Sequence, residues 1–331
     1  MHLIVVSSLD ALCRQQACED LAATHPESLV VLHDLLENGV VIRRVFGGEG
    51  LVEREETLLE HGCLSCAVRL DLVPAVERLS AGTAGPIIIG LPPAVPATVA
   101  VTALKRGLDR PPGPGQVHSH ERMLACAPDA LEDHIWDSHT LYESGFTPVA
   151  DDERTPGEFL VGELESADTV LLAEPDIVPA HPAGRDRGLH LIRELAPHTR
   201  IAPDPDKPPA MPSPFTTIRQ SLERPLHPGR FRLALGTLAE GCCVLRGHLW
   251  VASAPECRIA IQGIGPRVWL ENVGTVVPDK GRLDAGTVIE ATGEDLDPAE
   301  LAELLLHCQL TDEELAAGLE LQDPFGLAAA G

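Results

Sequence analysis

From His2 to Ala202 the chain alternates short apolar runs with helical patterns, and that alternation admits few folds. Residues 2–7, 29–33, 86–91 and 169–173 read as strands, the last two as continuous buried runs. Helical stretches lie between them, around 13–23 and 71–79. Asp71 reads as the N-cap of the second, with Pro74 in its first turn, where a missing N–H costs little. Strands linked through helices pair in parallel, so an α/β fold with a mostly parallel sheet is expected.

Residues 202–214 contain six prolines and read as a stiff linker. The text beyond it changes character. Residues 244–252, 258–264 and 268–273 have strand patterns, and two helices with clear starts follow. Asp297-Pro298-Ala299-Glu300 supplies an N-cap, a Pro at N1 and an acid at N3, and Thr311-Asp312-Glu313-Glu314 is a capping box. Strands followed by segregated helices predict a smaller α+β domain. The expected division is 1–202, a linker at 203–215 and a second domain over 216–331.

The net charge of -25 argues against broad contact with nucleic acid or anionic lipid, because neutralising phosphates requires a basic face. It favours basic protein partners. No Lys or Arg follows Arg282, so the terminal acids Glu294, Asp295, Asp297, Glu300, Glu303, Asp312, Glu313 and Glu314 are expected to form an acidic face. Residues 79–104 carry no charge, yet Pro86, Pro92, Pro93 and Pro96 argue against a membrane span. The opening residues read as a strand rather than a secretory signal, and nine scattered cysteines suggest reduced thiols. A cytoplasmic protein is expected.

One run carries more information than any other: His61-Gly62-Cys63-Leu64-Ser65-Cys66-Ala67-Val68-Arg69-Leu70-Asp71-Leu72. It resembles the Gly-Cys-x-Cys-Cys signature of the CobW-type GTPases, a zinc-handling P-loop family. Asp152-Glu153-Arg154-Thr155 and then residues 163–168 are similar to that family's approach to its guanine-recognition strand. Arg224-Pro225-Leu226-His227-Pro228-Gly229-Arg230 resembles the entry to its C-terminal domain. Residues 245–252 resemble its Arg-x-Lys-Gly-x-x-Trp-Leu-Ala strand, and 293–297, 310–314 and 323–325 resemble its tail. The resemblance covers nearly the whole chain in order. It implies a P-loop NTPase-like sheet followed by a CobW C-terminal-type α+β domain.

The nucleotide motifs of that family are eroded. A P-loop needs Gly-x-x-x-x-Gly-Lys-Ser/Thr, so that backbone N–H groups, a Lys and a hydroxyl can hold phosphates and magnesium. Here the text is Ser8-Leu9-Asp10-Ala11-Leu12-Cys13-Arg14-Gln15, with Arg14 at the Lys position and no glycine. The acid expected after the buried strand is absent from Ile89-Gly90-Leu91-Pro92-Pro93-Ala94. Of the guanine-reading Asn-Lys-x-Asp only Asp176 remains, in Ala173-Glu174-Pro175-Asp176. Arg14 and Asp176 are thus vestigial nucleotide positions. No catalytic residue, no hydrolysis and no tight GTP binding are expected.

For metal, Cys63 and Cys66 retain two of the signature's thiols, while Ser65 replaces the middle one. His61 offers a third donor. A closed structural zinc site wants four ligands, so this set suits an exchangeable ion, with inert packed thiols as the alternative. A looser group, His118, His120 and Glu121 with Cys126, His134 and His139, reads as exposed loop and helix residues. Cys242 and Cys243 introduce a strand and are expected to pack.

Two functions follow from the resemblance. The chain is similar to the actinobacterial branch that lacks a regular P-loop and recruits a ribosome hibernation factor when zinc is scarce. The alternative is a GTP-dependent zinc metallochaperone that delivers the metal to client proteins. Either implies a protein partner: a hibernation factor, basic ribosomal proteins or a zinc-dependent client.

Overall fold

The computed structural model describes residues 2–60, 62–108, 119–175, 182–203, 211–275, 286–318 and 321–326. Two compact units divide the chain, Met1–Met211 and Pro212–Gly331. Most of the proline-rich run, 204–210, lies outside the described residues.

The first unit is an α/β sheet. In chain order its elements are β1 (His2–Ser8), α1 (Ala11–Thr24), β2 (Leu29–Leu35), β3 (Val40–Gly47), β4 (Gly50–Leu58), α2 (Leu64–Cys66) and α3 (Val73–Ser80). Then come β5 (Ile87–Gly90), α4 (Ala97–Leu108), β6 (Ser119–Cys126), α5 (Leu131–Trp136), α6 (Pro156–Ser166), β7 (Thr169–Leu172), α7 (Pro182–Leu195) and β8 (Arg200–Ala202). The strands lie in the order β4-β3-β2-β5-β1-β6-β7-β8. From β2 to β8 every pairing is parallel, while β2–β3 and β3–β4 are antiparallel. The expected mostly parallel α/β sheet is present.

The central strands are apolar on both faces because helices cover both. Alternate residues of β1 point opposite ways. Leu3 and Val5 pack with Ile87, Ile89, Leu72, Val76, Val101 and Leu104. Ile4 and Val6 pack with Ala17, Cys18, Val30, Leu32 and Ile88. Each such fully buried aliphatic side chain contributes about 1.5–3 kcal/mol relative to exposure.

Two sequence expectations change here. Asp71 is no N-cap. The helical run begins at Cys63, passes through a π turn over Ala67–Leu72 and continues as α3, leaving Asp71 mid-run and buried. Pro74 has no N–H to give to the turn before it, and a wide turn accommodates that gap. The second change concerns Ser119–Cys126, expected as loop and helix. It is strand β6, paired along the whole of β1, with Cys126 buried at its end.

The second unit holds β9 (Phe215–Leu222), α8 (Pro228–Ala239), β10 (Cys242–Leu249), β11 (Cys257–Ile264), β12 (Arg267–Thr275), β13 (Thr287–Glu294), α9 (Pro298–Cys308) and α10 (Asp312–Ala317). Its antiparallel sheet runs β12-β11-β10-β13-β9. Phe231, Leu245, Ile259, Ile261, Ile289 and Leu305 form the core between sheet and helices. Cys242 and Cys243 open β10 and are buried, as expected. The predicted caps hold: Asp297 Oδ1 accepts from Ala299 N at 2.7 Å, and Thr311 and Glu314 form a reciprocal capping box.

The terminal acids are not all without cations. Arg230 forks onto Glu314 at 2.7 and 2.8 Å, and Arg224 reaches Asp312 at 2.8 Å. Linear order hid these pairs, because α8 and the segment before it fold back beside α10.

Among the described residues, no helix is long and apolar enough to cross a membrane.

Candidate metal and nucleotide site

In open α/β sheets ligands bind beyond the C-terminal strand ends, where loops lead into helices. In this chain that ground at the end of β1 is filled from within. Asp10 caps α1, its Oδ1 accepting from Leu12 N at 2.8 Å and Cys13 N at 2.9 Å. A carboxylate thus sits on the free N–H groups that a P-loop would offer to phosphate. Ser8 Oγ donates to Ala125 O at 2.8 Å, and Ala94 N donates to Ser8 O at 3.0 Å.

Arg14 does not face this loop. Its side chain is 1 % exposed and runs inward, donating from Nη1 to His33 O and Leu91 O, both at 2.9 Å. Nη2 meets Asp34 Oδ1 at 2.6 Å, and Arg44 binds the other carboxylate oxygen at 2.8 Å. Burial alone would raise the Asp34 carboxyl, but these two guanidinium groups hold it below its ordinary value. Gly90 makes the passage possible. A Cβ there would stand 3.2 Å from Arg14 Cδ and 2.8 Å from Leu32 Cδ2. Asp176, the other position that the sequence suggested for nucleotide, lies outside the described residues.

The thiol motif is held by a close backbone approach. Gly39 has φ +75°, and its Cβ, if present, would lie 2.7 Å from Leu59 O. Gly62 packs so tightly against it that a Cβ on Gly62 would stand 2.8 Å from Gly39 Cα. Cys63 follows as N-cap of the helical run, with its Sγ accepting from Cys66 N at 3.3 Å. Burial pushes the Cys63 thiol up, but hydrogen bonds from the Cys66 thiol and N–H and from Ser65 hold it below its usual value. The Cys66 thiol is raised in turn, first by its bond to Cys63. Both thiols are partly exposed.

Two soft donors are therefore together. Among the described residues, no group of three or more Cys, His, Asp or Glu is arranged to hold an ion. His61 and His118 fall outside the described residues, so the third donor read from the sequence has no described position. The looser cluster does not converge on one point: Cys126 is buried in β6, while His139 is exposed and bonds Asp137 Oδ1 at 2.7 Å. A two-thiolate set suits an ion that is taken up and released, and falls short of a closed tetrahedral site.

The same helical run carries Asp71 into a buried charge network that the sequence did not reveal. His33 Nε2 is 2.9 Å from Asp71 Oδ1, Arg43 Nη1 is 2.5 Å from the same oxygen, and Thr57 Oγ1 donates to Oδ2 at 3.1 Å. Arg43 also binds Glu53 and Glu55 of β4. Burial would raise Asp71, but bonds from His33 and Arg43 bring it down to about 2. The available signal was the alternation Val41, Arg43, Val45, which points Arg43 to the buried side of β3.

A second buried acid lies at the start of α4. Glu163 of α6 accepts from Ala97 N at 3.0 Å and from the Ser7 hydroxyl. Its pKa is raised, because burial outweighs those bonds.

Residues 215–309 match the family model of the cobalamin synthesis protein cobW C-terminal domain. The chain is 25% identical over 356 aligned positions to Zinc chaperone Rv0106 of Mycobacterium tuberculosis (strain ATCC 25618 / H37Rv), an alignment covering 87% of this chain and 85% of that protein. The same identity and coverage hold for the uncharacterized protein Mb0109 of Mycobacterium bovis. A crystal structure of Zn(II)-bound YjiA GTPase from E. coli aligns over 94% of this chain and 99% of its own, at 9% identity and a TM-score of 0.36. The match over 215–309, joined to the alignment with the mycobacterial proteins along most of the chain, supports a CobW-type family for this protein.

Proposed function

We propose that this chain works in zinc homeostasis as a metallochaperone-like factor, taking up zinc at Cys63 and Cys66 and passing it to a protein client. The observation that carries the reading is the pair of partly exposed thiols at one helix start, where Cys63 Sγ takes the Cys66 backbone N–H at 3.3 Å. Thiolates are soft donors suited to zinc, and an incomplete set permits exchange. The mycobacterial relative described as a zinc chaperone supports the same reading.

Delivery driven by GTP turnover is not part of it. Asp10 occupies the α1 N-terminus and Arg14 is engaged with Asp34, so neither phosphate contact of a P-loop is on offer. Recruitment of a ribosome hibernation factor is the other function the family resemblance implied, and it draws no support from the described geometry. The division into a degenerate P-loop GTPase-like domain at 1–202, a linker at 203–215 and a CobW C-terminal-type domain at 216–331 belongs to this proposal.

The test is a zinc titration of the reduced protein against a chromophoric chelator. Up to one zinc per chain is expected, and the double variant Cys63→Ser/Cys66→Ser should lose it without a change in melting temperature. Unchanged stoichiometry in that variant would sink the proposal.

A further inference from the structure

Of the nine cysteines, Cys13, Cys18, Cys126, Cys242, Cys243 and Cys308 are buried, while Cys63, Cys66 and Cys257 are partly open to solvent. Burial pushes Cys18 and Cys126 up to about 12, which leaves them as inert thiols. Cys63 and Cys66 differ from Cys257 in having each other. The Cys66 N–H donates to Cys63 Sγ at 3.3 Å, which places the backbone of Cys66 against the first sulfur. Cys63 has extended φ/ψ of -87° and 151°, so it stands outside the helical turn, its side chain folded back over the first residues. The close packing of Gly62 on Gly39 fixes the strand end from which Cys63 leaves.

We propose that Cys63 and Cys66 are a redox-active dithiol that exchanges with low-molecular-weight disulfides and closes to an intramolecular disulfide. Cys63 thiolate attacks one sulfur of the small disulfide, forming a mixed disulfide and releasing one small thiolate. Cys66, having given its proton to solvent, attacks Cys63 Sγ, and the second small thiolate leaves. Two protein thiols are oxidised, and one disulfide is reduced to two thiols. A Cys-x-x-Cys spacing at a helix start suits such closure, since the backbone of the resolving residue already lies against the first sulfur. The exchange stands apart from the zinc reading. Its consequence rests on that reading: closure removes both thiolates as donors, so oxidation would release the ion.

The experiment uses the full chain, stripped of metal with a chelator, then incubated with glutathione disulfide, alkylated and analysed by peptide mass spectrometry. In the wild type the Cys63/Cys66 peptide should lose alkylation on both thiols, gain an internal disulfide and carry no glutathione, while Cys257 stays alkylated. Cys66→Ser should trap glutathione on Cys63, and melting curves of the variant check that it folds. Alkylation of both thiols at the level of Cys257, or a stable glutathione adduct on wild-type Cys63, would overturn the proposal. A disulfide that forms in protein that binds no zinc leaves this inference standing and removes the metallochaperone reading. Zinc binding without exchange does the reverse.

Discussion

His33 and Asp71, 38 positions apart, meet in the interior of the first unit, Nε2 to Oδ1 at 2.9 Å, with His33 fully buried. The same His33 accepts Arg14 at its backbone carbonyl. One residue of β2 therefore joins α1 to the helical run that starts at Cys63.

Removing the Asp71 charge should be costly. Asp71→Asn leaves Arg43 and His33 buried against a weaker acceptor, and breaking such a pair costs about 3–5 kcal/mol. Urea denaturation at pH 7 measures this, and a loss below about 1 kcal/mol would show that the network is peripheral. The pH sign follows from the depressed pKa. The contribution of Asp71 is present above its ordinary 3.8 and disappears as the pH falls through about 2. Wild-type stability should decline across that window more steeply than that of the variant.

Glu163 should behave oppositely. Its folded pKa is raised by burial, so its contribution is full below its ordinary 4.5 and is lost as the pH rises through the folded value. Glu163→Gln retains an acceptor for Ala97 N without a buried charge. Its melting temperature should exceed that of the wild type at pH 8, with the gap closing towards pH 4. A gap that widens on acidification would contradict the assignment.

Calorimetry with GTP and magnesium should show no binding tighter than about 1 mM, some -4 kcal/mol. Measurable turnover would overturn the view that Asp10 has taken the phosphate position. Arg14→Ala is no probe of nucleotide here: it breaks the pair with Asp34 and should cost about 3–5 kcal/mol of stability.

Four of the acids on offer to a basic partner, Asp295, Asp297, Glu300 and Glu303, line a cavity of about 810 Å³ beside α9, Asp297 also capping that helix. Replacing these four by Asn and Gln should slow partner association and flatten its salt dependence, because charge acts chiefly on the encounter rate. Surface-bound association kinetics at low and high salt would read this. Glu314→Gln should instead weaken α10, since Glu314 is held by Arg230. Association indifferent to salt and to the four replacements would place the partner elsewhere.

Local rules reach far in this chain. The apolar runs of β1, β5 and β7, the Asp297 cap, the Thr311 capping box and the opening of β10 could be read directly, because periodicity and capping depend on neighbours a few residues away. The thiol pair was legible for the same reason, its members being three residues apart. What tertiary structure alone decided concerns charge. Asp71 looked like a cap and became the centre of a buried network, because β2 and β3 bring His33 and Arg43 to it across the sheet. Arg14 looked like a phosphate-binding residue in the sequence, yet it turns inward, because Gly90 and Asp34 offer it room and a counter-charge. The acidic tail acquired Arg224 and Arg230 from far upstream. A charge is satisfied by whatever the fold brings within a few ångströms, and that proximity is written in no local stretch of sequence.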